Sequence, residues 1–252
     1  MTKKAEQDQP VLIHWLNRRE MLGFLGVTAA SAFVGCGADL PGSHTQSIVA
    51  GCLVSPHQTE GPYFVDEKLD RSDLRVDPVS NSVSQGLPLR LGLKVQSVTS
   101  NTCKPLPGAT VDVWHCDAVG TYSDVQDSPG GFGDTRGKKF LRGYQVTNAE
   151  GQVEFLTIYP GWYPGRTVHI HFKIRTDPAS EVGHEFTSQL FFDETVTDQV
   201  HSQPPYANKG RRDTTNARDG IYRRGGRDLM LQLSKEAEGY RAQYDVGFLL
   251  PS

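Results

Sequence analysis

Residues 153–175 read VEFLTIYPGWYPGRTVHIHFKIR, and the periodicity of this stretch decides what kind of fold follows. Two β-type runs, 153–158 and 168–175, flank a centre built from Pro and Gly turn residues. In the second run His169 and His171 lie two apart, so on a strand they point to one face while Ile170 enters the opposite, apolar side. Both imidazoles can then reach one ion. A His-x-His pair alone is a weak signal, because two hydrogen-bonded structural histidines give the same pattern.

Working outward, short β-type runs recur at 87–98, 109–114, 144–147 and 188–192, and Asn148-Ala149-Glu150-Gly151 reads as a hairpin turn. No helix-sized amphipathic segment interrupts them apart from a candidate at 227–244. The 26 glycines and 15 prolines suit a strand-and-turn protein. The expected fold is therefore all-β, a β-sandwich with long active-site loops. Residues 203–226, rich in Arg, Asn, Asp and Gly, read as a covering loop and not as a second domain. A formal net charge of -3 gives no electrostatic footprint for nucleic acid, so no nucleic-acid partner is expected.

The first 36 residues stand apart. Arg18-Arg19 precede an apolar run from Met21 to Val27 that continues through small residues to Gly35, too short and glycine-rich for a membrane span. Residues 1–36 are thus expected to be a twin-arginine-type export signal, 37–50 a linker and 51–252 the catalytic β-sandwich domain. The destination is then periplasmic, membrane-anchored or extracellular. Phe33-Val34-Gly35-Cys36 resembles a lipoprotein processing site, which would anchor the chain at Cys36; ordinary cleavage around Ala29-Ala30-Ser31-Ala32 is the alternative. An oxidising destination permits a disulfide among Cys52, Cys103 and Cys116. If 87–98 and 109–116 form a hairpin, Cys103 lies at its turn and Cys116 at its far end. That leaves Cys52–Cys116 as the expected pair, with a reduced, buried set as the alternative.

The chemistry rests on a constellation. Upstream of the histidines lies Gly161-Trp162-Tyr163-Pro164-Gly165-Arg166, and Gly120-Thr121-Tyr122-Ser123 follows the run Val111-Asp112-Val113-Trp114-His115. Together these segments resemble the intradiol ring-cleaving dioxygenases, whose pattern is VWH-x-x-x-x-G-x-Y, a second tyrosine after a Pro-Gly turn, and R-x-x-H-x-H. The resemblance spans roughly residues 52–195. It implies Tyr122, Tyr163, His169 and His171 as ligands of a mononuclear Fe(III), with Tyr163 also a base. It further implies Arg166 and Gln189 as catalytic residues, and Gly61, Pro62 and Tyr63, within Thr59-Glu60-Gly61-Pro62-Tyr63, as the lining of the substrate pocket. The implied partners are a catechol-type substrate and O2, the product a cis,cis-muconate-type diacid, and the assembly a homo-oligomer.

The ligand types make chemical sense independently. A free phenol ionises near pH ~10, but a trivalent ion at bonding distance holds it as phenolate at neutral pH, and hard anionic oxygens favour the ferric state. Tyr159 competes for the second phenolate position, although it precedes the Pro160-Gly161 turn. Two other readings stay open at this level: a two-His, one-carboxylate Fe(II) oxygenase built on His115-Cys116-Asp117, and a non-catalytic β-sandwich binding module. Arg142 is the candidate cation for a carboxylate-selective pocket. His115 and Trp114 are expected to pack beneath the site.

Overall fold

The computed structural model describes residues 48–49, 52–100, 102–129, 133–177 and 183–250. The expected export signal at 1–36, the cleavage or lipidation site at Cys36 and most of the 37–50 linker lie outside the described residues.

Eleven strands and one α-helix follow in the order β1 (Ile48–Val49), β2 (Cys52–Leu53), β3 (Pro88–Val98), β4 (Cys103–Pro105), β5 (Thr110–Trp114), β6 (Arg142–Val146), β7 (Gln152–Ile158), β8 (His169–Arg175), β9 (Glu185–Phe191), α1 (Glu194–His201), β10 (Gln232–Glu236) and β11 (Gly239–Leu249). One sheet runs β10-β11-β3-β4, with β7 also paired to β3; the other runs β6-β5-β8-β9. Between the sheets lie Leu89, Leu91, Leu93, Phe155, Val246 and Phe248 from the first and Val111, Val113, Ile170, Phe172, Ile174 and Leu190 from the second. Each such side chain removed from water contributes about 2 kcal/mol. The strand period of two does the sorting: Ile170, Phe172 and Ile174 of β8 enter this core, so His169, His171, Lys173 and Arg175 are carried on the outer face of the sheet.

Three expectations need correction. The helix at 227–244 is a hairpin, because Ala242, Val246 and Phe248 alternate inward with exposed Gln243 and Asp245 and so fit a pleat. At its turn Gly239 (φ +151) leaves no room for a Cβ, which would stand 2.0 Å from the Pro88 carbonyl oxygen. A short helix not expected from the pattern, α1, is nucleated by Asp193, whose Oδ1 accepts the Thr195 and Val196 amide protons at 2.8 and 3.1 Å. Ile48–Val49, assigned to the linker, pair with β2 as β1.

The disulfide is Cys52–Cys103 and not Cys52–Cys116. Cys103 pairs with Val98 at the end of β3, on the same sheet that β11 extends, and Leu53 packs beside Gly247 of β11. Cys116 follows β5 in the other sheet and is buried there as a free thiol. The sequence places Cys103 and Cys116 apart correctly, but only the parallel pairing of β11 with β3 shows which side of the sandwich Cys52 joins.

Candidate functional site

Strand register assembles the floor. Trp114 of β5 pairs with Arg142 of β6 and with His171 of β8, and His171 pairs with Gln189 of β9. Residues directly opposite one another point to the same face, so these four form one row across the outer side of the sheet. Trp114 stacks on the His171 ring, centroids 4.9 Å apart and planes within 7°, and both are buried.

Two loops bring the tyrosines to this row, and two glycines let the loops touch. Gly120 (φ +87), two residues before Tyr122, sits so close to the other loop that a Cβ would stand 2.1 Å from the Trp162 carbonyl oxygen. Gly161, two residues before Tyr163, would place a Cβ 2.4 Å from the Ala118 carbonyl oxygen. Its amide donates to the Asp117 carbonyl at 3.0 Å. Lys209 ties the same junction from outside, donating to the Val119 and Trp162 carbonyls while its ammonium lies 4.7 Å from the Trp162 ring centre. The result is a buried aromatic cluster of Trp114, Cys116, Tyr122 and Tyr163, with the Tyr122 and Tyr163 rings 5.7 Å apart.

The polar atoms of this cluster converge on one imidazole nitrogen. His169 Nδ1 lies 2.6 Å from the Thr167 carbonyl, which only accepts, so Nδ1 carries the proton and Nε2 presents a lone pair. Tyr163 Oη approaches that Nε2 at 3.2 Å, His171 Nε2 at 3.1 Å and Arg166 Nη1 at 3.4 Å. One lone pair thus faces three potential donors. The buried Tyr122 hydroxyl and His171 Nδ1 have no hydrogen-bond partner among the described residues. Burial pushes the Tyr122 phenol well above its ordinary range, with Tyr163 adding to the effect. Burial likewise raises Tyr163, against an opposing pull from Arg166. Burial first, then Arg166 for His169 and His169 for His171, holds both imidazoles far below their usual pKa. Without a cation the site therefore holds neutral phenols and neutral imidazoles. Two imidazole Nε2 atoms and two phenolic oxygens are the donor atoms such a cation would find there.

Arg166 and Gln189 are locked to each other. Arg166 Nη2 donates to Gln189 Oε1, and Gln189 Nε2 donates to the Thr59 carbonyl at 2.8 Å. Asp219 completes the clamp, its Oδ2 accepting from Arg166 Nε and from the Thr167 amide, both at 2.8 Å. Over this arrangement passes an N-terminal arm. Gly61 (φ +72) lies across His171, where a Cβ would approach Cε1 to 3.4 Å. Tyr63 stacks on Tyr122 at 4.5 Å, and Pro62 between them is exposed. Phe64 then packs on Trp114, and Asp66 pairs with Arg175.

Every residue singled out from sequence thus lies at one place. The competitors lie elsewhere or are occupied. Tyr159 is in the core between the sheets, its hydroxyl 2.8 Å from Thr197 Oγ1. His115 is spent on the Cys116 carbonyl and Thr157 Oγ1, and Asp117 Oδ1 caps the amides of Val119 and Thr121. Among the described residues no three His, Cys, Asp or Glu side chains gather as a metal site, which leaves the two-His, one-carboxylate reading without its carboxylate. Arg142, the candidate substrate-binding cation, is 2% exposed. It is consumed by Ser123 and by the Tyr63 carbonyl. Asp219 and Lys209 are the functional neighbours that sequence reasoning missed; both lie in the stretch read only as a covering loop.

Residues 59–214 match the Dioxygenase family. Over 135 residues the chain is 33% identical to the protocatechuate 3,4-dioxygenase beta chain of Burkholderia cepacia, covering 49% of this chain and 54% of that one. The chain thus spans about half the length of that relative. Among solved structures, the intradiol ring-cleavage dioxygenase from Tetranychus urticae superposes with a TM-score of 0.66 at 32% identity, over 78% of this chain and 94% of that one. The dioxygenase domain of a dioxygenase carbohydrate-binding protein fusion from Streptomyces sp. SirexAA-E gives 0.54 at 29% identity, over 78% and 97%. With the family match covering the arm, both tyrosine loops and the histidine strand, this chain belongs to the intradiol ring-cleavage dioxygenase family.

Proposed function

We propose that this protein is a non-haem Fe(III) enzyme that uses O2 to cleave catechol-type rings between the hydroxyl-bearing carbons, giving cis,cis-muconate-type diacids. The observation that carries the reading is the crowding of Tyr163 Oη and His171 Nε2 onto the lone pair of His169 Nε2. A cation there turns donors competing for one acceptor into lone-pair ligands, and Tyr122, whose hydroxyl is otherwise orphaned, becomes the fourth. The bound ferric ion supplies the Lewis acidity that ionises the phenols and activates the substrate ring toward O2. Two phenolates and neutral imidazoles offset most of its charge in a buried place.

The residues divide the remaining work by exposure. Tyr122 is 0% exposed and Tyr163 is 7% exposed, so Tyr163 is the tyrosine that an entering substrate can meet. As a phenolate it accepts a proton from a substrate hydroxyl. Arg166, held by Asp219, stabilises negative charge that develops on the ring, and Gln189 fixes the guanidinium from its other side. Gly61, Pro62 and Tyr63 line the entrance. Pro164 and Gly165 are exposed, and a Cβ on Gly165 would meet nothing within 4 Å, which supports an entrance open to ring substituents. Catechol and several substituted catechols are therefore the proposed substrates. The Cys52–Cys103 disulfide supports the proposal that the chain is exported to an oxidising compartment.

The test is oxygen uptake by the iron-loaded protein with catechol, methylcatechols, hydroxyquinol, caffeate and protocatechuate, together with a visible spectrum. Turnover of several of them with a tyrosinate-to-iron charge-transfer band supports the reading. Iron binding without such a band removes the phenolate ligands, and turnover of protocatechuate alone removes the open entrance.

A further inference from the structure

The loop at 209–227 is charged against the grain of the protein. In a chain of formal net charge -3 it holds seven Lys and Arg against two Asp. Both carboxylates are committed, Asp219 to Arg166 and Thr167 and Asp213 to the Gly165 amide at 3.3 Å. Of the cations, Lys209 is buried against carbonyls and Arg212 is paired with Glu194 and Asp198. Arg211, Arg218, Arg223, Arg224 and Arg227 are exposed, and none is in an ion pair with a described carboxylate.

The path of the loop puts this surplus beside the site. It starts where Trp162 Nε1 donates to the Gly210 carbonyl and passes Gly165 and Arg166. It ends against the arm, where Gln58 Nε2 donates to the Arg224 carbonyl at 2.8 Å and Gly225 packs on Pro56. The cations thus flank the entrance from the Tyr163 link to the arm. Near the arm the nearby acid at Tyr63 is Asp127, which raises the Tyr63 phenol after burial does. The acids Glu60, Asp66 and Glu67 are paired with Lys173, Arg175 and Lys139.

We infer that this basic rim biases the enzyme toward catechols that carry a carboxylate, by concentrating the anion at an entrance that itself does not select. The inference rests on the proposed ring-cleaving reading and names a substrate class within it. Charges about 10 Å from a bound anion act at roughly one Debye length in physiological salt, so the effect is modest there and grows at low ionic strength. Since Arg142 is buried and occupied, no specific carboxylate pocket competes with the rim for this role.

Two probes of the same shape isolate the charge: 3,4-dihydroxybenzoate and 4-methylcatechol. Their Kd values for the iron-loaded protein are measured by anaerobic calorimetry at 10 and 300 mM salt, alongside aerobic cleavage of 4-methylcatechol. The expected result is a roughly fivefold weakening for the anion and less than twofold for the neutral catechol. Replacing Arg211, Arg218, Arg223 and Arg227 by Gln together should abolish that difference and leave 4-methylcatechol cleavage unchanged. Equal salt response of the two probes, or an unchanged response in the quadruple variant, overturns the rim while the ring-cleaving reading stands. Binding of the wild type, and not the variant, to phosphatidylglycerol vesicles with equal salt response of the probes assigns the rim to a membrane surface and also overturns it. Failure to bind or cleave 4-methylcatechol at any salt overturns the ring-cleaving reading and the substrate bias that rests on it.

Discussion

Asp219 and Arg166 form a buried ion pair at 2.8 Å in which the same carboxylate oxygen also accepts the amide proton of Thr167, two residues before the first histidine of β8. One carboxylate therefore orients the cation and anchors the start of the histidine strand. Its other oxygen accepts from the amides of Ile221 and Tyr222, which fixes the loop that supplies it. Arg166 and its neighbours hold this carboxyl below its ordinary pKa against the opposing effect of burial. Replacing Asp219 by Asn should lower kcat at least tenfold while the iron-to-protein ratio stays near that of the wild type, since none of the four proposed ligands changes. A kcat within twofold of wild type would show that Arg166 is aimed without it.

Tyr163 and Tyr122 should part company when each loses its hydroxyl. Tyr163→Phe is expected to cut kcat about a hundredfold or more, the usual cost of a lost base, with iron retained. Tyr122→Phe should shift or weaken the charge-transfer band first, because its oxygen is buried away from the entrance. Stopped-flow turnover and visible spectra of the two variants check the assignment, and matching phenotypes would refute it.

Gly161→Ala tests how tightly the tyrosine loops are joined. A Cβ at that position would stand 2.4 to 2.6 Å from three backbone atoms of Ala118 and Asp117, which cannot swing aside as a side-chain tip can. The expected cost is about 2–4 kcal/mol in urea unfolding, with weaker iron binding by the folded fraction. Gly165→Ala, where a Cβ has open space but φ is +82, should cost only about 1 kcal/mol.

Acid sensitivity should trace in part to His115. Burial, aided by Arg142, lowers its pKa to about 4 against the pull of the Cys116 carbonyl. The folded state thus favours the neutral ring, so the stability it contributes is full above the unfolded pKa of about 6.5 and is lost as pH falls from there to about 4. The loss is about 3 kcal/mol at most. Thermal melts of metal-free wild type and His115→Gln between pH 7 and 4 should converge as the pH drops, and parallel curves would contradict the linkage.

The Cys52–Cys103 disulfide closes a loop of 51 residues that includes the whole arm over the site. Cys52→Ser with Cys103→Ser should lower stability by about 2–4 kcal/mol. The same pair with a reducing agent present should show no further loss. Further loss on reduction would point to a different pairing.

Much of this was legible in the chain itself, because strand periodicity and turn residues are local. The spacing in 153–175 forces His169 and His171 to one face and Ile170, Phe172 and Ile174 to the other, whatever the remainder of the protein does. Residue types told as much about chemistry: two tyrosines and two histidines near Pro-Gly turns suit a hard cation on their own account. What the sequence left open depends on pairings between distant segments. Cys52 meets Cys103 because β11 lies parallel to β3, and no local pattern encodes that neighbour. Residues 227–244 became a hairpin because the sandwich offered β11 a partner strand and an apolar face, which outweighs helical propensity. Asp219 found Arg166 across 53 positions, and the unpaired arginines came to flank the entrance only when the covering loop was pinned at Gly210, Asp219 and Arg224. Local periodicity determined which side chains could share a face; long-range burial and hydrogen bonding decided which of those faces meet.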